Sequence, residues 1–188
     1  MPFSFTPCPI AGLFEIQPKV FGDTRGYFFE CYSERDFFAA GLTIRFVQDN
    51  QSRSDKGTLR GLHYQKQHPQ GKLVRAIQGE VFDAAVDIRP DSASRGKWHG
   101  VILSSEKQNQ FYIPPGFAHG FLALTDNAIF AYKCTDFYFP EDEGGIIWDD
   151  TQIGIKWPDL GMEYILSEKD KKLPLFKEAL TEAQRTRR

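Results

Sequence analysis

The chain has 188 residues, 41% hydrophobic and 26% charged, a balance that predicts one globular domain with a core of its own. Its formal net charge of −2 provides no basic field to recruit nucleic acid or an anionic membrane. No apolar run approaches the roughly 20 residues needed to span a bilayer, and Met1-Pro2-Phe3-Ser4-Phe5 lacks the charged-then-apolar order of a signal peptide. Three widely spaced cysteines, Cys8, Cys31 and Cys134, form no C-x-x-C pair, which argues against a disulfide framework or zinc cage and for a reduced, cytoplasmic compartment. Seventeen phenylalanines fit either strands or stacked ligand walls, and composition does not separate the two.

In chain order, Asp23-Thr24-Arg25-Gly26-Tyr27-Phe28-Phe29-Glu30 reads as a loop. Its arginine suits phosphate oxygens, because guanidinium is a planar, permanently charged fork; a surface ion pair is the plainer reading. Ser33 to Ala40 predicts a short helix with Ser33 as N-cap and Gly41 as its stop. Gln48-Asp49-Asn50-Gln51-Ser52 is a polar cluster closing a strand. Leu59-Arg60-Gly61-Leu62-His63-Tyr64-Gln65 predicts a strand with Arg60, Leu62 and Tyr64 on one side and Leu59, Gly61, His63 and Gln65 on the other. His63 then sits half buried, either as a core histidine satisfied by a carbonyl or as a general base, the task to which imidazole is suited near neutrality.

Further strands are predicted at Lys72–Ile77, Val81–Arg89, Trp98–Leu103, Gln110–Ile113, Gly120–Leu124 and Ala128–Tyr138, punctuated by Gly and Pro. Many short strands with turn signals predict an all-β sandwich or barrel. Lys72 at a strand start is ordinarily solvated; turned inward beside His63 it would stabilise an oxyanion. Pro114-Pro115-Gly116 makes a turn delivering His119 to a strand start, in a P-x-G-x-x-H spacing that resembles half of the cupin signature. The other half needs H-x-H, which His63-Tyr64-Gln65 does not supply, so the metal ligand set is incomplete and no metal is expected. Tyr132 and Tyr138 fall on one alternating face, suited to proton donation, base stacking or ordinary sheet packing. Leu166 to Asp170 reads as a capped helix start with Ser167 as N-cap, or as a carboxylate returned to orient a histidine. A last helix is predicted from Leu175 to Arg188, with Gln184 to Arg188 as a frayed tail.

Six motifs stand in order: D-x-R-G-x-F-x-E, Q-D-N-x-S, L-R-G-L-H-Y-Q, G-K-L-V-R, P-x-G-F-A-H-G-F and Y-K-C-T-D-x-Y. Together they resemble the dTDP-4-dehydrorhamnose 3,5-epimerase family over nearly the whole chain. The resemblance implies a cupin-like jelly roll over residues 1–188, with a short helical segment from about 175. It implies a homodimer with part of the site shared between subunits, a dTDP-linked nucleotide-sugar substrate, and neither metal nor redox cofactor.

Residue by residue, it implies His63 as base, Tyr132 as acid, Asp170 as the partner of that histidine and Lys72 beside the substrate's C4 oxygen. Arg60 and His119 match substrate contacts. Arg25, Glu30, Gln48, Asp49, Asn50, Glu143 and Lys169 match nucleotide-sugar contacts, and Tyr138 matches the aromatic that stacks on thymine. Phe137 stands where many relatives carry a second tyrosine. The alternatives are a single-centre epimerase on a related nucleotide-keto sugar, a metal-dependent cupin oxygenase, and a non-catalytic sugar-nucleotide-binding module.

Overall fold

The computed structural model describes residues 2–185. Thirteen strands and two helices follow one another: β1 (Phe3–Pro7), β2 (Phe14–Pro18), β3 (Phe21–Asp23), β4 (Gly26–Phe28), α1 (Glu34–Ala39), β5 (Gln48–Ser54), β6 (Leu59–Gln65), β7 (Lys72–Gln78), β8 (Glu80–Asp87), β9 (Trp98–Ser104), β10 (Gln110–Ile113), β11 (Phe117–Ala123), β12 (Ala128–Cys134), β13 (Glu143–Gly145) and α2 (Phe176–Arg185). They build a six-stranded sheet, β1-β2-β10-β7-β12-β5, facing a five-stranded sheet, β13-β6-β11-β8-β9, with β3–β4 as a separate hairpin. The architecture is the expected cupin-like antiparallel sandwich. Among the described residues no helix is long and apolar enough to cross a membrane.

Apolar residues alternate inward from both sheets. Val74 and Ala76 of β7, Phe111 and Ile113 of β10 and Phe130 of β12 meet Val81 and Ala85 of β8, Val101 and Leu103 of β9 and Phe121 of β11. The outer faces are partly covered too. Phe176, Ala179 and Leu180 of α2 pack on Leu62, Tyr64, Val86 and Ala118, while Phe37 of α1 packs with Phe3, Ile16 and Tyr112 over the other sheet. This double cover is why all seven residues of β11 are buried and, His119 apart, its sequence is a run of small and apolar residues.

Gln110–Ile113 is a strand with the predicted ends, and Ser33 caps α1, accepting from the Asp36 amide. Other boundaries move. His119 lies inside β11, which begins at Phe117 rather than Gly120, and β12 stops at Cys134, so Tyr138 stands beyond the strand. The polar cluster from Gln48 is itself a strand, and residues 21–28 form a hairpin rather than a loop. The segment after Leu166 forms a single 3₁₀ turn at Asp170–Lys172 instead of a helix, and its N-cap is Lys169 rather than Ser167, whose Oγ accepts from the Asp170 amide. Helix α2 runs through Gln184 and Arg185, where fraying was expected; Thr186 to Arg188 lie outside the described residues.

Candidate active site

The two sheets enclose a cavity of about 490 Å³ lined by Arg60 and His63 of β6, Lys72 of β7, His119 and Phe121 of β11, and Phe130 and Tyr132 of β12. Lys169 and Asp170 close it from the segment after the sandwich. Arg60 and His63 share this wall although they are three residues apart, contrary to simple alternation. The cause is a bulge. His119 pairs with His63 and Phe121 with Arg60, so β6 spends three steps where β11 spends two, and the extra residue reverses the alternation. Gly61 makes this possible. Its φ is +119°, and a Cβ there would sit 2.6 Å from Gly120 Cα and 2.8 Å from the His119 carbonyl oxygen, both backbone atoms. The Gly61–Leu62 peptide bond is cis.

His63 Nε2 donates to Asp170 Oδ1 at 2.7 Å, which leaves Nδ1 as the free base, 3.9 Å from Glu143 Oε1. Asp170 is positioned by its own turn, whose amide donates to Ser167 Oγ at 3.0 Å. Burial alone would raise the Asp170 carboxyl, but hydrogen bonds from His63, Ser167 and the Gly61 backbone hold it below the usual carboxylate value. It is therefore an anion fixing one imidazole tautomer.

His119 has a carboxylate of its own. Nε2 donates to Asp83 Oδ2 at 2.8 Å, and Asp83 is fully buried on the neighbouring strand β8. Burial pulls His119 below the ordinary histidine value, outweighing the opposing pull of Asp83. Asp83 was not singled out in the sequence. Its signal is a single charge inside the apolar run Val81-Phe82-Asp83-Ala84-Ala85-Val86, which must find a partner to be buried.

On the facing sheet, the Lys72 Nζ lies 6.0 Å from the Tyr132 ring centroid. Burial lowers Lys72 from the ordinary lysine value, resisted by Cys134, Asp83 and Glu143. Burial raises the Tyr132 phenol, with Cys134 adding to this and Arg60 opposing it. A phenol held protonated is a proton donor, and a buried cation beside it is an anion stabiliser. Ser52 also lines the cavity, with a buried hydroxyl that has no hydrogen-bond partner among the described residues.

A polar rim adjoins the cavity. Glu143 Oε2 accepts from Tyr138 Oη at 2.8 Å and from Lys169 Nζ. Burial would raise the Glu143 carboxyl, but these two hydrogen bonds and His63 bring it below its usual value. Gln48 Nε2 donates to Asn50 Oδ1 at 3.1 Å, and Gln48 Oε1 accepts from the Tyr138 amide at 3.0 Å. Asn50 pairs across the sheet with Tyr132.

Seven expected site residues are outside the cavity lining: Gln48, Asn50, Tyr138 and Glu143 stand on the rim, and Asp49, Arg25 and Glu30 reach neither. Asp49 alternates to the outer face of β5 and pairs with Lys133 at 2.9 Å. Arg25 stands on the β3–β4 hairpin, ion-paired with Asp23 at 2.6 Å, and Glu30 is exposed just beyond it.

A family model described as dTDP-4-dehydrorhamnose 3,5-epimerase matches residues 7–178. The dTDP-4-dehydrorhamnose 3,5-epimerase of Methanothermobacter thermautotrophicus is 54% identical over 170 residues, covering 90% of this chain and 92% of its own. That of Salmonella typhimurium is 52% identical over 167 residues, covering 88% and 91%. Among solved structures, the dTDP-6-deoxy-D-glucose-3,5-epimerase of Legionella pneumophila, in complex with dTDP-4-keto-L-rhamnose, superposes with a TM-score of 0.93 at 51% identity over 96% of both chains.

Proposed function

The chain belongs to the dTDP-4-dehydrorhamnose 3,5-epimerase family, isomerases of dTDP-rhamnose biosynthesis, and we propose that His63 and Tyr132 carry the proton transfers that invert C3 and C5 of dTDP-4-keto-6-deoxy-D-glucose. The observation that supports this assignment is a base–carboxylate pair on one sheet and a protonated phenol on the other, lining the same cavity. In the substrate the C4 ketone acidifies the hydrogens at C3 and C5. His63 removes one through Nδ1, and the electron pair moves to the C4 oxygen as an enolate. Lys72 stabilises that oxygen, an electrostatic contribution worth several kcal/mol in a desolvated site. Tyr132 returns a proton to the opposite face, so the centre inverts. Asp170 holds the reactive tautomer and stabilises the imidazolium once it forms. No electrons leave the substrate, so the chemistry calls for no redox cofactor.

The diphosphate needs cationic partners, and Arg60 and Lys169 stand at the cavity wall. Tyr138, Gln48, Asn50 and Glu143 form the rim where the nucleotide would lie. Arg25 and Glu30 enter the same proposal through a homodimer. The β3–β4 hairpin exposes Phe21, Tyr27 and Phe28 at 50%, 63% and 67%, an apolar surface that suits insertion against a partner subunit. It would carry Arg25 and Glu30 to the partner's site. Three free thiols suit a reduced, cytoplasmic setting.

The test is proton NMR of the keto sugar in deuterated water with wild type, His63→Ala and Tyr132→Phe. Deuterium should enter both C3 and C5 with wild type. His63→Ala should abolish exchange while leaving thymidine diphosphate binding intact, and Tyr132→Phe should slow product formation far more than exchange. Loss of nucleotide binding in His63→Ala, or equal slowing of both processes in Tyr132→Phe, overturns the assignments.

A further inference from the structure

Away from the active site, three potential metal ligands meet at one end of the sandwich. Cys8 follows β1, Glu15 lies on β2 and His99 on β9, so they join the β1–β2 edge of one sheet to the edge strand of the other. Thiol sulfur, carboxylate oxygen and imidazole nitrogen all lie within 4.8 Å of one another. None of the three lines the cavity that holds His63.

His99 carries the second observation. Its Nε2 is buried from solvent with no hydrogen-bond partner among the described residues. Glu15 Oε1 is 3.7 Å away, too far for a hydrogen bond. That separation is close to the roughly 3.3 Å edge of a tetrahedron built on metal–ligand bonds of about 2.0–2.1 Å. Buried polar atoms are rarely left unpaired, and those that are call for an explanation such as an ion. The imidazole is held by packing on Phe111, with ring centroids 6.0 Å apart. Cys8 is held by its amide, which donates to the Leu13 carbonyl at 3.0 Å.

We propose that Cys8, Glu15 and His99 bind one divalent transition-metal ion of the zinc class, with a fourth position left to water. A soft thiolate and a borderline imidazole favour zinc or cobalt over magnesium or calcium, and a carboxylate oxygen is an accepted third ligand of zinc. Burial pushes the Cys8 thiol up to about 11, so without metal it is protonated. On binding, the S–H bond breaks, the proton leaves to solvent, a metal–sulfur bond forms, and no electrons are transferred. Entry is through Glu15, whose side chain is 46% exposed and which lines a surface cavity of about 460 Å³ with Gln17 and Lys107. The ion would tie the two sheets together at this end and has no part in epimerisation. The ligands are scattered along the chain, so no local spacing motif announces them.

The test uses full-length protein stripped with a chelator and titrated with cobalt(II). One equivalent should bring up the thiolate-to-cobalt charge-transfer band in the near ultraviolet together with intense visible d–d bands of four-coordinate cobalt. Cys8→Ser should abolish the charge-transfer band, His99→Gln should weaken binding at least about 100-fold, and both should retain epimerase activity, as should the stripped wild type. Cys31→Ser should leave the spectrum unchanged. A wild-type spectrum without the thiolate band, or a band that survives Cys8→Ser, overturns the proposal. Should Cys8→Ser fail to fold, zinc protection of wild-type Cys8 against alkylation, read by mass spectrometry, decides. At least tenfold slowing is expected, and equal rates with and without zinc overturn it.

Discussion

Replacing Asp170 with Asn tests the base assignment most directly, because it changes charge and tautomer while conserving shape. In the wild type, proton abstraction turns His63 into a cation 2.7 Å from the Asp170 carboxylate oxygen. At that separation an effective dielectric of about 20 gives roughly 6 kcal/mol of attraction. The His63 side chain is 30% exposed, so water screens the pair, and an effective dielectric of about 40 leaves roughly 3 kcal/mol. Three kcal/mol is about 150-fold in rate. The Asn amide adds to this when it donates to Nε2, since the imidazole proton then moves to Nδ1 and blocks the base. The expected result is a loss in kcat of at least about 10²-fold. Thymidine diphosphate affinity should stay near wild type, because Asp170 meets the imidazole and its own turn. Deuterium wash-in at C3 and C5 by NMR reads the chemical step, and titration calorimetry reads the nucleotide. A loss below about fivefold, or a parallel loss of nucleotide affinity, would refute the argument.

Three further outcomes follow from the geometry. Lys72→Met keeps most of the side-chain volume and removes the cation, so kcat should fall about 10²–10³-fold with little change in nucleotide affinity; a proportionate loss of affinity would place Lys72 on the diphosphate instead. Gly61→Ala drives a Cβ to 2.6 Å from the Gly120 backbone at a φ of +119°, and should destabilise the fold by roughly 4 kcal/mol in denaturant melts; an unchanged midpoint would show that the bulge does not require glycine. Asp87 is fully buried, which would raise its carboxyl, but hydrogen bonds from Arg89, Ser92 and Ser94 bring it from 3.8 down to about 2. The folded value is depressed, so the contribution, roughly 2 kcal/mol, is present above pH 3.8 and is lost as pH falls through 2. Wild type should exceed Asp87→Asn by about that amount in unfolding experiments at pH 7, with the gap closing toward pH 2; a constant gap would refute the linkage.

What could be read ahead of the structure divides along physical lines. Gln110–Ile113 was legible because Pro114-Pro115-Gly116 ends it sharply, and α1 because Ser33 and Gly41 bracket it. Strands β1 to β4 were not, since Phe3–Pro7 and Phe14–Pro18 end in proline and the hairpin buries nothing within one chain. The side of β6 that Arg60 occupies was misread, because alternation has period two until a bulge intervenes, and the bulge depends on Gly120 from a distant strand. Asp49 sits in a recognisable motif, yet its face is set by its cross-strand partner Lys133. Motifs locate residues along the chain, whereas register decides which of them share a cavity.

Register also explains why two histidines so close together do different work. His63 and His119 face each other across β6 and β11, and each is held by its own buried carboxylate. Two imidazolium ions at that spacing would repel, and burial disfavours the charged form of His119. The His119 side chain is only 9% exposed against 30% for His63; desolvation, together with the neighbouring Lys72 and His63, holds it neutral against the pull of Asp83. With its Nε2 proton committed to Asp83, a neutral His119 has a lone pair at Nδ1, which in the proposed function would accept a hydrogen bond from a substrate hydroxyl. It therefore cannot neutralise an enolate, and in the proposed mechanism that task falls to Lys72 on the opposite wall. His63, with water access and an anionic partner, is the imidazole that in the proposed mechanism takes the substrate proton and releases it to solvent, while Tyr132 reprotonates the opposite face. The same difference in burial that separates the roles predicts their order of sensitivity: loss of charge at Asp170 acts on the chemical step, and loss of charge at Asp83 acts on how the sugar is held.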